Sequence, residues 1–247
     1  MTVLRWILPL AGLWLWQAAM ADMPRPFEAV YEIRVDGKPR LESRISLSQE
    51  GAHWVLRSTT TGTRGLAGFL NISSEERSEG VWHEGQFRPH SYQHQSSVAG
   101  AGEQWEATFD WTARAVTTRT EEGEFKLEIG ADTSDPLSLI LALGKRLRGD
   151  EHEISAEVVD EDTIDLHRFQ RKPPHLMQTA LGCVEVTELE RMRERSQRYS
   201  SGWYAKEFSY LPVRVRHGKR GGKEFDMRIL HLSLDGNPAI ALADCPL

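Results

Sequence analysis

The sequence predicts a mainly β protein: an antiparallel sheet with one docked α-helix over about residues 135–148. Three observations predict it. Apolar and polar residues alternate from Phe27 onward, turn residues interrupt the alternation at short intervals, and one segment alone switches to a helical period.

The chain begins MTVLR and continues with an apolar run, Trp6 to Trp16, too short to span a hydrocarbon core of ~30 Å as a helix. Ala19-Met20-Ala21 supplies the small-any-small pattern that signal peptidase requires. Residues 1–21 are therefore expected to be a cleavable signal peptide, with Asp22 as the new amino terminus. No cysteine follows the apolar run, so no lipid-anchoring residue is expected there. Residues 22–247 are expected to form a single β-rich domain, long enough to bury a core without disulfides. No later apolar segment approaches spanning length. The expectation is a periplasmic protein with no membrane span after cleavage.

In EAVYEIRVDGK, Ala29, Tyr31, Ile33 and Val35 share the parity expected to be buried, and Asp36-Gly37 offers the positive φ angles of a tight hairpin. A second strand is expected around Leu41 to Ser48 and a third around His53 to Thr60. Further turns are expected at Glu50-Gly51, Glu84-Gly85, Trp111 to Arg114 and Glu122-Gly123, which makes this half a meander. GTRGLAGFLN, Gly62 to Asn71, lacks alternation and reads as either a loop or a short helix.

SDPLSLILALGKRLRG places Leu137, Ile140, Leu141 and Leu147 on one helical stripe. Ser134 or Asp135 is the expected cap, Pro136 suits the first turn because its missing N–H costs nothing there, and Lys145, Arg146 and Arg148 suit the negative end of the helix dipole. Ser138, near the stripe's edge, is expected to tolerate substitution. Strand patterns resume in HEISAEVVD, TIDLHRFQRK, CVEVTELERMR, YLPVRVRHG and EFDMRILHLSL, with Lys172-Pro173-Pro174 as an interruption.

Acidic residues number 36 against 30 basic, a formal net charge of −6 spread along the chain. Nucleic-acid binding, which draws on a concentrated basic face, is not expected. The one basic run, Arg214 to Lys223, reads as a solvated hairpin tip. Cys183 and Cys245 are able to pair in an oxidising compartment, though sequence supplies no Cα separation to decide it. They have no neighbouring Cys or spaced His of the kind a zinc site uses.

FEAVYEI, FRPHSYQHQ, TFDWTARAV, DPLSLILAL and YLPVRVRHG occur in this order across nearly the whole mature chain. Through them the chain resembles the bacterial exported proteins catalogued as domain of unknown function 3108. The resemblance implies a periplasmic, antiparallel domain in which a strongly curved sheet or partly closed barrel closes on a helix, in the manner of periplasmic lipoprotein carriers. The family brings no established activity.

Candidate sites are few. RPHSYQHQ puts His90, Tyr92 and His94 at alternate positions, but in a regular strand the ends of that trio lie about 13 Å apart, too far for one metal ion. Exposed decoration is the expectation unless a bulge follows Pro89. Asp110, between Phe109 and Trp111, is expected to cap a turn, and Asp135 to cap the helix. The carboxylate pairs Glu121-Glu122 and Glu161-Asp162 read as solvated. GxSxG and HExxH patterns do not occur, and no glycine-rich phosphate loop follows a buried strand. No catalytic residue, metal ligand or cofactor is assigned.

Trp54, Trp82, Trp105 and Trp111 are the candidate ligand-binding residues, since a flat apolar face stacks on sugars or lines a lipid groove; Trp203 shares the character. The expected function is non-enzymatic, the binding of an apolar, amphiphilic or glycan ligand in the sheet's concavity. The alternatives are a structural or interaction factor working with an envelope protein, and an enzyme acting on envelope glycans. A ligand cavity of several hundred Å³ lined by aromatics would mark the first, and a closed, packed interior the second. Facing carboxylates ~5–9.5 Å apart would mark the third.

Overall fold

Asp36-Gly37, Glu84-Gly85 and Asp235-Gly236 carry positive φ at both positions, 50° and 76°, 51° and 78°, 51° and 76°. That geometry makes a two-residue hairpin whose twist matches its strands. The structure, a computed structural model, describes residues 23–194, 196–239 and 243–246. The signal segment read over 1–21, with Asp22, lies outside the described residues.

The elements are β1 (Phe27–Val35), β2 (Lys38–Glu50), β3 (His53–Gly62), α1 (Gly65–Phe69), β4 (Ser73–His83), β5 (Gln86–Val98), β6 (Ala101–Asp110), β7 (Ala115–Thr120), β8 (Gly123–Glu128), α2 (Leu139–Arg146), β9 (Glu153–Asp160), β10 (Thr163–Arg171), β11 (His175–Thr179), β12 (Gly182–Met192), β13 (Arg198–Ala205), β14 (Leu211–Lys219), β15 (Glu224–Leu234) and β16 (Asn237–Pro238). They form one antiparallel sheet in the order β8-β7-β6-β5-β4-β3-β2-β1-β15-β14-β13-β12-β10-β9, with β11 beside β12 and β16 beside β15. The protein is thus mainly β, and its sheet is curved but not closed. Residues 62–71 contain the short helix α1, and the turn expected at Glu122-Gly123 falls one residue earlier, since β8 begins at Gly123.

The connection from β8 to α2 bridges the gap between the two edge strands. Ile129 N–H donates to Arg114 O (3.0 Å) beside β7, while Ser134 N–H donates to Glu157 O (2.9 Å) and Ser134 O accepts from Val159 N–H (3.0 Å) on β9. The Glu157 carboxylate adds bonds from Gly130 N–H (3.0 Å) and Thr133 Oγ1 (2.8 Å). Asp135 follows at once. Its Oδ1 accepts from the N–H groups of Leu137 (2.9 Å) and Ser138 (2.8 Å), and its own N–H donates to Ser138 Oγ (3.1 Å). Asp135 is therefore the expected cap, with the regular helix shorter than the stripe suggested.

The stripe is also broader. Leu137 and Leu141 join a core shared with Tyr31, Trp54, Phe87 and Val186, while Leu143 and Leu147 join Ile154, Phe169, Leu189 and Tyr204. The helix is buried from two sides, as a wedge between the halves of the sheet. Ser138 is wholly buried, which corrects the expectation that it tolerates change. Its hydroxyl completes a reciprocal cap, a role helical periodicity does not reveal. Cys183 and Cys245 form a disulfide across 62 residues, with Cα atoms 4.7 Å apart, and fasten the carboxy-terminal segment to β12. Among the described residues no helix is long and apolar enough to cross a membrane.

Two stability predictions follow from this packing. Leu141→Ala, at 2% exposure, should cost about 2–5 kcal/mol through lost transfer energy and the cavity left behind. Ser138→Ala should cost about 1–3 kcal/mol, because the buried Asp135 N–H loses its acceptor. Urea midpoints of both variants check this, and an unchanged midpoint for either removes the wedge or the reciprocal cap.

Candidate functional site

A bulge decides which way RPHSYQHQ faces. Gly80 pairs with Pro89 and Glu79 with Ser91, so His90 is the extra residue on β5. A β-carbon on Gly80 would lie 2.0 Å from Arg88 O and 2.7 Å from Trp54 Cζ2, so only glycine admits this approach. Before the bulge Phe87 and Pro89 are buried, and after it Tyr92 is. His90 remains exposed. The trio therefore does not share one face, and Tyr92 and His94 are not exposed decoration.

Tyr92, 1% exposed, donates from its hydroxyl to Glu76 Oε1 (2.7 Å), and His94 Nδ1 lies 4.0 Å from the same oxygen. Burial, and then the Glu76 charge, hold the Tyr92 phenol well above its ordinary range and therefore neutral. Beneath them Ser78 Oγ donates to Asp135 Oδ2 (2.5 Å). Burial pushes the Asp135 carboxyl up to about 6, against the lowering effect of its hydrogen bonds to Ser78, Ser138 and Leu137. On β10, His167 is pushed down to about 4 by burial and then by the Arg191 guanidinium. Of this inward polar set Tyr92, Ser78 and Asp135 lie within the packed core, while the Glu76 and His94 side chains stay about a quarter exposed, 24% each.

A trough of about 620 Å³ crosses β3 to β7 and takes residues of both parities. Arg57, Arg77 and Arg119, the acids Glu75, Glu76, Glu106 and Glu121, the amides Gln93, Gln95 and Gln104, and His94 and Trp105 line it. These residues fall in cross-strand rows, Arg57 opposite Arg77, Arg77 opposite Gln93, Gln93 opposite Glu106 and Glu106 opposite Arg119. Within them Arg119 bonds Glu106 (3.1 Å) and Glu124 (2.8 Å). The rows offer donors and acceptors at strand spacing, suited to an extended hydroxyl-rich ligand. A smaller groove, about 260 Å³, lies between α2 and β9 and is lined by Phe87, Leu143 and Ile154 with Lys145 and Asp132.

The four candidate tryptophans are distributed differently. Trp54 is 0% exposed, edge-on to Phe87 at 5.7 Å, and Trp82 meets Phe87 at 4.8 Å. Trp105 borders the trough with its ring against Tyr92 at 4.7 Å. Trp111 stacks on Phe109 at 6.0 Å, donates to Pro89 O (2.8 Å) and lies under Arg88. Trp203 lies under Arg214. Asp110 Oδ1 accepts from Thr112 and Ala113 N–H (3.0 and 2.8 Å), the expected turn cap. Glu76 and the three glutamines were not singled out from sequence. The available signal was the alternation itself: Gln93 and Gln95 occupy the positions between Tyr92, His94 and Ser96.

The family model for "Protein of unknown function (DUF3108)" matches residues 30–227. The chain belongs to this family. Among solved structures, a β-barrel-like protein of domain of unknown function DUF1849 from Brucella abortus aligns with a TM-score of 0.54 at 8% identity, covering 86% of this chain and 98% of its own. The DUF3108 chain shares that fold and, at this identity, nothing more is drawn from the likeness. A protein from Bacteroides fragilis named as exported, with a YmcC-like fold, aligns at a TM-score of 0.38 and 8% identity, covering 85% of this chain and 98% of its own. No curated protein matches the chain.

Asp135 should leave a signature in the pH dependence of stability. Its folded-state pKa is raised from 3.8 to about 6, so the native state binds the more protons between those values. Stability due to this group is therefore greatest at the acid end and falls as pH rises from about 4 to 6, by on the order of 3 kcal/mol. His167, lowered from 6.5 to about 4, acts oppositely: its share is present above 6.5 and is lost as pH falls toward 4. Asp135→Asn should remove the first component alone, and denaturation midpoints from pH 4 to 7 that match the parent would contradict it.

Proposed function

We propose that this DUF3108 protein is an exported envelope protein, released by cleavage after Ala21, that binds a polar, glycan-like ligand along the trough across β3 to β7. The observation that carries the reading is the trough's lining: three arginines, four acids and three glutamines around about 620 Å³, a volume in the range of ligand sites. A glycan offers hydroxyls that both donate and accept, and amide and charged side chains in register complement them. Trp105 at the border supplies the stacking edge among the four tryptophans considered.

A second reading, a structural or interaction factor, is favoured by the inward face, where Trp54, Trp82, Phe87 and Tyr92 pack together in the core. One titration separates the two. With soluble oligosaccharides from bacterial envelope glycan, the protein should bind saturably, and Gln93→Ala with Gln104→Ala should weaken binding roughly tenfold, about one hydrogen bond's worth at each position. Absence of saturable binding, or equal affinities, would remove the glycan reading and leave the second.

A further inference from the structure

Glycines build an apolar knuckle at one end of the sheet. A β-carbon on Gly62 would meet Ala67 O at 2.2 Å, and one on Gly65, where φ is +60°, would meet Arg40 Nη1 at 1.9 Å. The backbone is tied down as well: Gly62 N–H donates to Ile72 O (2.7 Å), Ile72 N–H to Ala67 O (3.1 Å) and Thr63 N–H to Arg40 O (2.8 Å). Only Ala67 of α1 is buried. Leu66 is 69% exposed and Phe69 82%, on a segment whose hydrogen bonds fix it in place.

The neighbouring hairpin extends the patch. Ala99 N–H donates to Leu70 O (2.7 Å), which seats the β5–β6 turn against α1 and adds Val98, 48% exposed. Residues 60–72 and 96–102 contain no acid. The turns next along the same end, 36–40 and 219–224, carry Lys38, Arg40, Lys219, Arg220 and Lys223, and Arg64 stands on the knuckle itself. The acids of those two turns are Asp36, whose carboxylate accepts from Glu224 N–H (3.0 Å), and Glu224, held by Tyr199 and Arg216 (both 2.5 Å), while Glu42 opposite Thr61, Glu103 opposite Ser96 and the β7–β8 turn Glu121-Glu122 lie back from the knuckle. The basic run read as a solvated hairpin tip thus lies at the end that bears the exposed apolar side chains.

We propose that this end is a membrane-contact tip: Leu66, Phe69 and Val98 enter the interface of a bilayer whose anionic headgroups pair with Arg64 and with the lysines and arginines of the β1–β2 and β14–β15 turns. Large apolar side chains with cations along one flank match such a surface in both respects, since burial of the apolar groups and attraction to anionic lipid act together. The charge pattern selects the occupant. A bilayer supplies both partners that the knuckle lacks, an apolar layer for Leu66 and Phe69 and anionic headgroups for the cationic flank.

The test is sedimentation of the exported protein with vesicles of phosphatidylcholine, with and without phosphatidylglycerol. The unsubstituted protein should bind the phosphatidylglycerol vesicles, bind phosphatidylcholine alone much less, and lose binding as salt rises. Leu66→Ser with Phe69→Ser should reduce binding roughly tenfold or more, and Arg64→Gln by a smaller factor. Leu176→Ser, at another exposed apolar position, on β11 (56%), should change nothing. Unaltered circular dichroism of the variants would keep folding out of the comparison. Failure of the unsubstituted protein to bind anionic vesicles overturns the proposal, as does equal binding by the knuckle variants. A dimer abolished by those variants, without vesicle binding, assigns the tip to a second copy and overturns it too.

Discussion

One buried carboxylate connects parts of this fold that no strand pairing connects. Asp135 is wholly buried, and burying an ionised carboxyl is costly unless its oxygens are matched. Here Oδ1 takes the first free amides of the α2 turn, Oδ2 takes the Ser78 hydroxyl from β4, and the backbone beside it pairs with β9. The residue thus starts the wedge helix, fixes that helix to the first half of the sheet and sits at the seam with the second half. A sheet with fourteen strands along one path needs such a joint, because its two edges do not pair with each other and would otherwise present unpaired backbone groups.

The joint has a consequence for where function can reside. With α2 wedged between the halves, the inward face becomes core, and Trp54, Trp82, Phe87 and Tyr92 pack there. The outward parity of β3 to β7 is left to carry the polar rows. The bulge at Gly80 completes this division by turning Tyr92 inward and leaving Gln93 and Gln95 outward. Trough and knuckle are close: Thr59 precedes Gly62, and Gln95 precedes Val98, by three residues, about 10 Å of strand. A ligand in the trough would lie beside the surface that the tip touches.

Much of this architecture was legible because period and turn chemistry agree. Ala29 and Tyr31 are buried as their alternation requires, although Ile33 and Val35 are only half-buried and Val30 is buried at the register shift before Tyr31; Asp36-Gly37 and Glu84-Gly85 turn as that pair must, and Pro136 marks the helix start. What was not legible depends on residues distant in sequence. The Gly80 bulge is set by contact with Arg88 and Trp54, so local alternation misplaced Tyr92 and His94. Ser138 gave no helical signal of its reciprocal cap. The trough escaped notice because Arg57, Gln93 and Arg119 become a site only when register aligns them, whereas large aromatics attract attention wherever they stand. The Cys183–Cys245 bond likewise depended on a separation that only the fold supplies.

The joint itself is open to direct measurement by native-state hydrogen exchange at single amides. If Asp135 holds the seam, Asp135→Ala should accelerate exchange at Ser134 and Val159, which bond across it, while amides of the central β1–β15 ladder, such as Ala29 and Leu232, keep their protection. Unchanged protection at Ser134 and Val159 in a folded variant would contradict this account, and would mean that the seam is held without the carboxylate.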